Sequence, residues 1–129
     1  MADLLFKQNI SSSISKAPAT AGAAITEKYF EASEVLEDNT SYNEVMNSRF
    51  LVAASVTDQV IGMGTVALGK VLILKPSADL GIKLTNGAGE SQLIAVKANK
   101  LTILHAEFTG LKFTTDTVDV KGQLCIAGD

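Results

Sequence analysis

The chain has 129 residues with 11 basic and 14 acidic side chains, a net charge of −3, and 47% hydrophobic residues. That length suits one folding unit able to bury roughly two thirds of its unfolded surface, and the apolar content excludes a disordered chain. Residues 1–64 carry four basic and eight acidic side chains and residues 65–129 carry seven and six, so no basic stripe exists to neutralise phosphates, which argues against nucleic acid as a partner.

Met1-Ala2-Asp3-Leu4-Leu5-Phe6 has neither a basic start nor a long apolar run, so it is not expected to be a signal peptide. No stretch approaches eighteen apolar residues, and no membrane partner is expected. The two sequon matches, at Asn9-Ile10-Ser11 and Asn39-Thr40-Ser41, have meaning only in a secreted protein. Residues 1–24 read as an N-terminal arm or first strand plus linker. Asp3 to Ile14 can supply one strand, and the small-residue run Lys16 to Ala24 has too little apolar bulk to fold alone. Leu4, Leu5 and Phe6 are the candidate partner-binding residues, an apolar anchor on that arm or part of a core strand.

Residues 25–129 read as a single β-domain. Within it, Ile25, Tyr29, Ala32 and Leu36 fall at helical spacing and predict a short helix or irregular excursion over 25–48, broken by Asp38-Asn39-Thr40. Arg49 to Val56 is apolar enough for a core strand, Thr57-Asp58-Gln59 reads as a turn, and Val60-Ile61 opens another strand. Six further runs follow about every ten residues, at Val71–Leu74, Leu80–Leu84, Gln92–Val96, Leu101–Leu104, Leu111–Thr114 and Leu124–Ile126. Turn residues such as Pro76-Ser77, Asn86-Gly87-Ala88-Gly89 and Lys121-Gly122 separate them. Eight or nine short strands at that spacing predict an all-β fold, an antiparallel β-sandwich with jelly-roll character.

The residue types that carry chemistry are sparse. Gly64-Thr65-Val66-Ala67-Leu68-Gly69-Lys70 approaches a phosphate-binding loop, but Val71 stands where a Mg²⁺-binding hydroxyl is needed and a β-like run ended by Pro76 follows. Those glycines read better as a bend or a close strand approach. His105 is the only histidine and Cys125 the only cysteine, so paired-His metal sites, hydrolytic triads and an intrachain disulfide all lack parts. His105-Ala106-Glu107 opens like a zinc deaminase signature without its cysteine pair. Glu31, Glu34, Glu37 and Asp38 read as a solvated acidic face, and Asp116 with Asp119 lacks the spacing of a calcium loop. The expectation is a protein that is not an enzyme, with no catalytic residues, no metal and no cofactor.

From Asn47 to Asp129 the cadence of strands and turns resembles that of small structural proteins of tailed bacteriophages. It runs through Phe50–Ala54, Thr57-Asp58-Gln59, Gly64-Thr65-Val66, Leu72–Leu74, Ile82–Gly87, Leu93–Val96, Leu101–Leu104 and Leu124–Gly128, about two thirds of the chain. The resemblance is one of pattern and rests on no diagnostic motif. It implies a virion component made in the host cytoplasm, a capsid cement or decoration protein whose partners are the major capsid protein or other virion proteins. Self-association into a homo-oligomer is compatible with that role. Two alternatives stand beside it. One is a tail, baseplate or connector protein of a phage; the other is a carbohydrate-binding β-sandwich module, against which the absence of Trp and the presence of only Tyr29 and Tyr42 count.

Overall fold

In the computed structural model the described residues are 7–15, 28–37 and 42–129, with side chains described for the last of these segments. Leu4, Leu5 and Phe6, the expected anchor, lie outside them. Every element is a β-strand: β1 (Lys7–Ser15), β2 (Lys28–Glu37), β3 (Glu44–Val52), β4 (Gln59–Ile61), β5 (Gly69–Pro76), β6 (Leu80–Asn86), β7 (Gly89–Glu90), β8 (Ile94–Val96), β9 (Thr102–Phe108), β10 (Gly110–Thr114) and β11 (Val120–Gly128).

The described strands fall into two compact units, one holding β1 and β2 and the other running from Tyr42 to Asp129. The first is an antiparallel pair of β1 and β2, in register from Lys7 opposite Glu37 to Ile14 opposite Phe30, with a bulge at Ser15. This corrects the helix expected within 25–48. The helical spacing of Tyr29, Ala32 and Leu36 coexists with an alternation over Phe30, Ala32, Glu34 and Leu36, and β1 supplies a non-local partner that completes the ladder for the second pattern.

The second unit, Tyr42–Asp129, holds two antiparallel sheets. Sheet I has the order β3-β11-β5-β9; sheet II has the order β4-β10-β6-β7, with β8 pairing the other stretch of β6. Period-two alternation decides which side chains turn inward. Leu72 and Leu74 of β5, Leu124 and Ile126 of β11 and Val52 of β3 come from sheet I; Leu80, Ile82 and Leu84 of β6 and Leu111 and Phe113 of β10 come from sheet II. All ten join one buried cluster. Phe50 of β3 meets Phe113 of β10 edge to face at 5.0 Å between ring centroids, a packed aromatic contact between strands of the two sheets.

Most connections carry the chain from one sheet to the other, and each is tied down by its polar groups. The loop between β3 and β4 shows this best. Ser55 and Asp58 there have positive φ values of 58° and 54°, costly for residues other than glycine. Hydrogen bonds to the end of β10 and the loop beyond hold that geometry. Ala54 N–H donates to Asp119 Oδ1 at 2.8 Å, Val56 N–H to Thr115 Oγ1 at 3.0 Å, and Asp58 N–H to Thr114 Oγ1 at 3.0 Å. The Ser55 and Thr115 backbone N–H groups donate to the Asp116 and Val56 carbonyls at 2.6 and 2.9 Å.

The glycine-lysine stretch has a structural use. Gly64 adopts φ 60° in the bend before β5, and Gly69 opens that strand with the Phe108 ring lying where a Cβ would stand. A side chain at 69 would displace a fully buried aromatic ring, which accounts for the glycine there.

Candidate functional site

The residues that the sequence offers for chemistry are dispersed in the folded unit. Lys70 lies in β5, followed by strand rather than by the helix a phosphate cradle requires, and its Nζ pairs with Asp129 Oδ2 at 2.6 Å. His105 sits on β9 between the inward positions Leu104 and Ala106, opposite Val71. Cys125 lies on β11 between the buried Leu124 and Ile126, and burial pushes its thiol up, away from the reactive thiolate. Asp119 and the Asp116 carbonyl are engaged in holding the β3–β4 loop. Among the described residues no three His, Cys, Asp or Glu side chains come together as a metal-binding group. No helix among them is long and apolar enough to cross a membrane.

Charge is organised on the outer faces of the two sheets, and in opposite ways. On sheet II, Lys83 of β6 and Lys112 of β10 stand directly opposite each other, an arrangement that by itself repels. Acids interleave with them. Lys83 Nζ lies 3.0 Å from Asp58 Oδ1 and 3.4 Å from Glu90 Oε1, and Lys112 Nζ lies 2.7 Å from Glu90 Oε2. The hydrogen bond from Lys83 holds the Asp58 carboxyl below the usual carboxylate range, and Lys112 followed by Lys83 does the same for Glu90. In return, Asp58 first and then Glu90 raise the Lys83 ammonium above its ordinary value. The four charges neutralise one another.

Sheet I presents the reverse situation. Its outer face carries a groove of about 640 Å³ whose rim includes Arg49, Leu51, Lys75 and Lys121 and whose floor includes Phe50, Pro76 and Gly122. The strand register assembles it: Gln123 of β11 faces Arg49 of β3 on one side and Lys75 of β5 on the other, and Lys121 faces Leu51. Gly122 keeps β11 close to its neighbours, since a Cβ there would collide with the Lys75 carbonyl oxygen and the Phe50 ring. Ser77 and Asn99 close one end, fastened by the Ser77 N–H to the Lys121 carbonyl at 2.7 Å and the Asn99 N–H to the Pro76 carbonyl at 2.7 Å. Leu51 stays 69% exposed at the rim, and nearby Leu101 stays 63% exposed. None of the three cations has an ion-pair partner among the described residues.

Comparison with known proteins adds no relative. No family model, no curated protein and no solved structure matches this chain. The groove therefore stands on its own chemistry: a shallow, open, apolar floor with cationic edges. It can hold an extended, anionic segment by burying apolar groups and pairing charge at the rim. Its lining holds no Asp, Glu, His or Cys side chain.

The sequence reading missed the groove. Arg49, Lys75 and Lys121 are widely separated along the chain, and only the pairing of β3 and β5 on either side of β11 gathers them. The available signal was parity: each occupies an outward position in its strand, flanked by residues of the opposite face.

Proposed function

We propose that the two sheets of residues 42–129 form a β-sandwich of jelly-roll character, and that the chain is a non-enzymatic structural protein of a tailed-phage particle. In this reading it is a capsid cement or decoration protein bound to the major capsid protein. It is made in the host cytoplasm and works in the virion. The observation that carries the reading is the pairing of one continuous core with outer faces built for contact. Inner side chains of both sheets share a single buried cluster, while Leu51, Val60 and Leu101 remain exposed outside it. A cement protein needs such a body: stiff enough to span a joint, with adhesive surface left over after its own core is filled. The strand-and-turn cadence from Asn47 to Asp129 gives the reading its direction.

Edge strands support it further. β3 and β9 flank sheet I, and among the described strands each is paired on one side only, which makes them edges suited to strand addition by a neighbouring subunit. The carbohydrate-module alternative draws less support, because Tyr42 is buried and the sequence contains no Trp.

The test is a particle lacking this chain. Such particles are expected to release their genome at lower temperature and lower osmotic stress than complete ones, and to recover resistance when purified chain is added back. Equal resistance with and without the chain, and no binding on add-back, would overturn the proposal.

A further inference from the structure

The unpaired cations of sheet I call for an anionic partner, and its charge pattern identifies one. Adjacent strands lie about 4.8 Å apart, so the backbones of Arg49 and Lys75, flanking Gln123, are roughly 10 Å apart, with Lys121 one outward position along β11. Three like charges held around one apolar groove raise the local potential and draw in an opposite charge. The contrast with sheet II is direct, since Lys83 and Lys112 there are each neutralised within the same face.

Residues 42–129 have no surplus acid to offer, with eight basic and eight acidic side chains. The surplus lies at residues 27–38, where Glu27, Glu31, Glu34, Glu37 and Asp38 are set against the single Lys28. That stretch is also interleaved with Phe30, Val35 and Leu36, residues of the kind an apolar floor accepts. Its backbone from Lys28 to Glu37 is already extended as β2, so little chain entropy remains to be lost on docking.

We infer that the groove of sheet I receives the acidic β2 stretch of a second copy of this chain. The contact joins unlike surfaces, so reciprocal exchange closes a two-fold dimer and cyclic exchange closes a ring. This inference goes beyond the particle role and holds or fails independently of it.

Sedimentation of the full chain across the micromolar range tests it. Wild type is expected to self-associate at about 0.05 M salt, with a dissociation constant at least roughly tenfold higher at about 0.5 M, where exposed charges more than several ångströms apart are screened. A groove-reversed variant (R49E, K75E, K121E) and an acid-reversed variant (E31K, E34K, E37K) are each expected to be monomeric, because like now faces like. Mixing the two restores complementary surfaces and is expected to give hetero-oligomers, which also shows that both variants are folded. A wild-type chain that stays monomeric throughout overturns the inference. So does self-association that neither salt nor the reversals weaken.

Discussion

Lys83 shows how much of this molecule is set by single side chains placed across a strand pair. It stands opposite Lys112, and the repulsion is offset because Asp58 and Glu90 reach between them. The sign of the pH dependence follows from the shifts. Asp58 and Glu90 are held below their ordinary values, so their contribution is full above about pH 4 and is lost as pH falls through the depressed values. Lys83 is raised, so its contribution is present below its unfolded value and is lost only as pH rises through the raised one, above about 10.4. Lys83→Met keeps the apolar stem and removes the charge. We expect the variant to be less stable than wild type at neutral pH in low salt, with the gap closing as pH falls toward 3 or as salt rises. Urea unfolding midpoints along a pH series measure that gap, and a gap unchanged by pH and salt would mean that Lys83 acts through packing.

At the scale of elements, the loop between β3 and β4 explains how the chain turns from one sheet into the other. Thr115, buried at the end of β10, donates its hydroxyl to the Ala53 carbonyl at 2.6 Å and accepts from the Val56 N–H at 3.0 Å. One side chain thus satisfies two backbone groups in a loop that also contains two positive-φ residues. Thr115→Val conserves the shape and strands both groups, with an expected loss of about 1–3 kcal/mol in chemical denaturation. Thr117→Val, on the exposed side of the same stretch, is expected to stay within about 0.5 kcal/mol of wild type. Equal effects of the two substitutions would contradict the role given to Thr115.

Elements were legible in the sequence wherever alternation and turn residues agreed. The runs at Val71–Leu74, Leu80–Leu84 and Leu111–Thr114 became β5, β6 and β10 because apolar residues there alternate between faces and glycine or proline marks their ends. Legibility failed where the partner decided the outcome. Residues 28–37 satisfy a helical period and a strand period at once, and only the pairing with β1 selects the strand. The strand sought over Arg49–Val56 begins earlier, at Glu44, because the whole of Glu44–Val52 follows β11 in register. The cationic groove was illegible for the same reason, since a sequence gives the parity of Arg49, Lys75 and Lys121 but not which strands lie side by side.

At the scale of the whole molecule, a filled core in residues 42–129 is set beside exposed apolar and cationic surface. Residues 42–129 build one core shared by two sheets, set acids to neutralise sheet II and brace loops, and leave a cationic groove and the sheet edges β3 and β9 facing outward. That distribution suits a protein that works by being present in many copies and by touching its neighbours. A small interface repeated over a shell accumulates stability that no single contact supplies. The strongest test of this view is quantitative mass spectrometry of purified particles, expressed as copies of this chain per copy of the major shell protein. The account predicts a fixed ratio in the range of a repeating shell component, unchanged after further purification. A handful of copies per particle would move the chain to the tail or connector, and its complete absence from particles would contradict the virion role altogether.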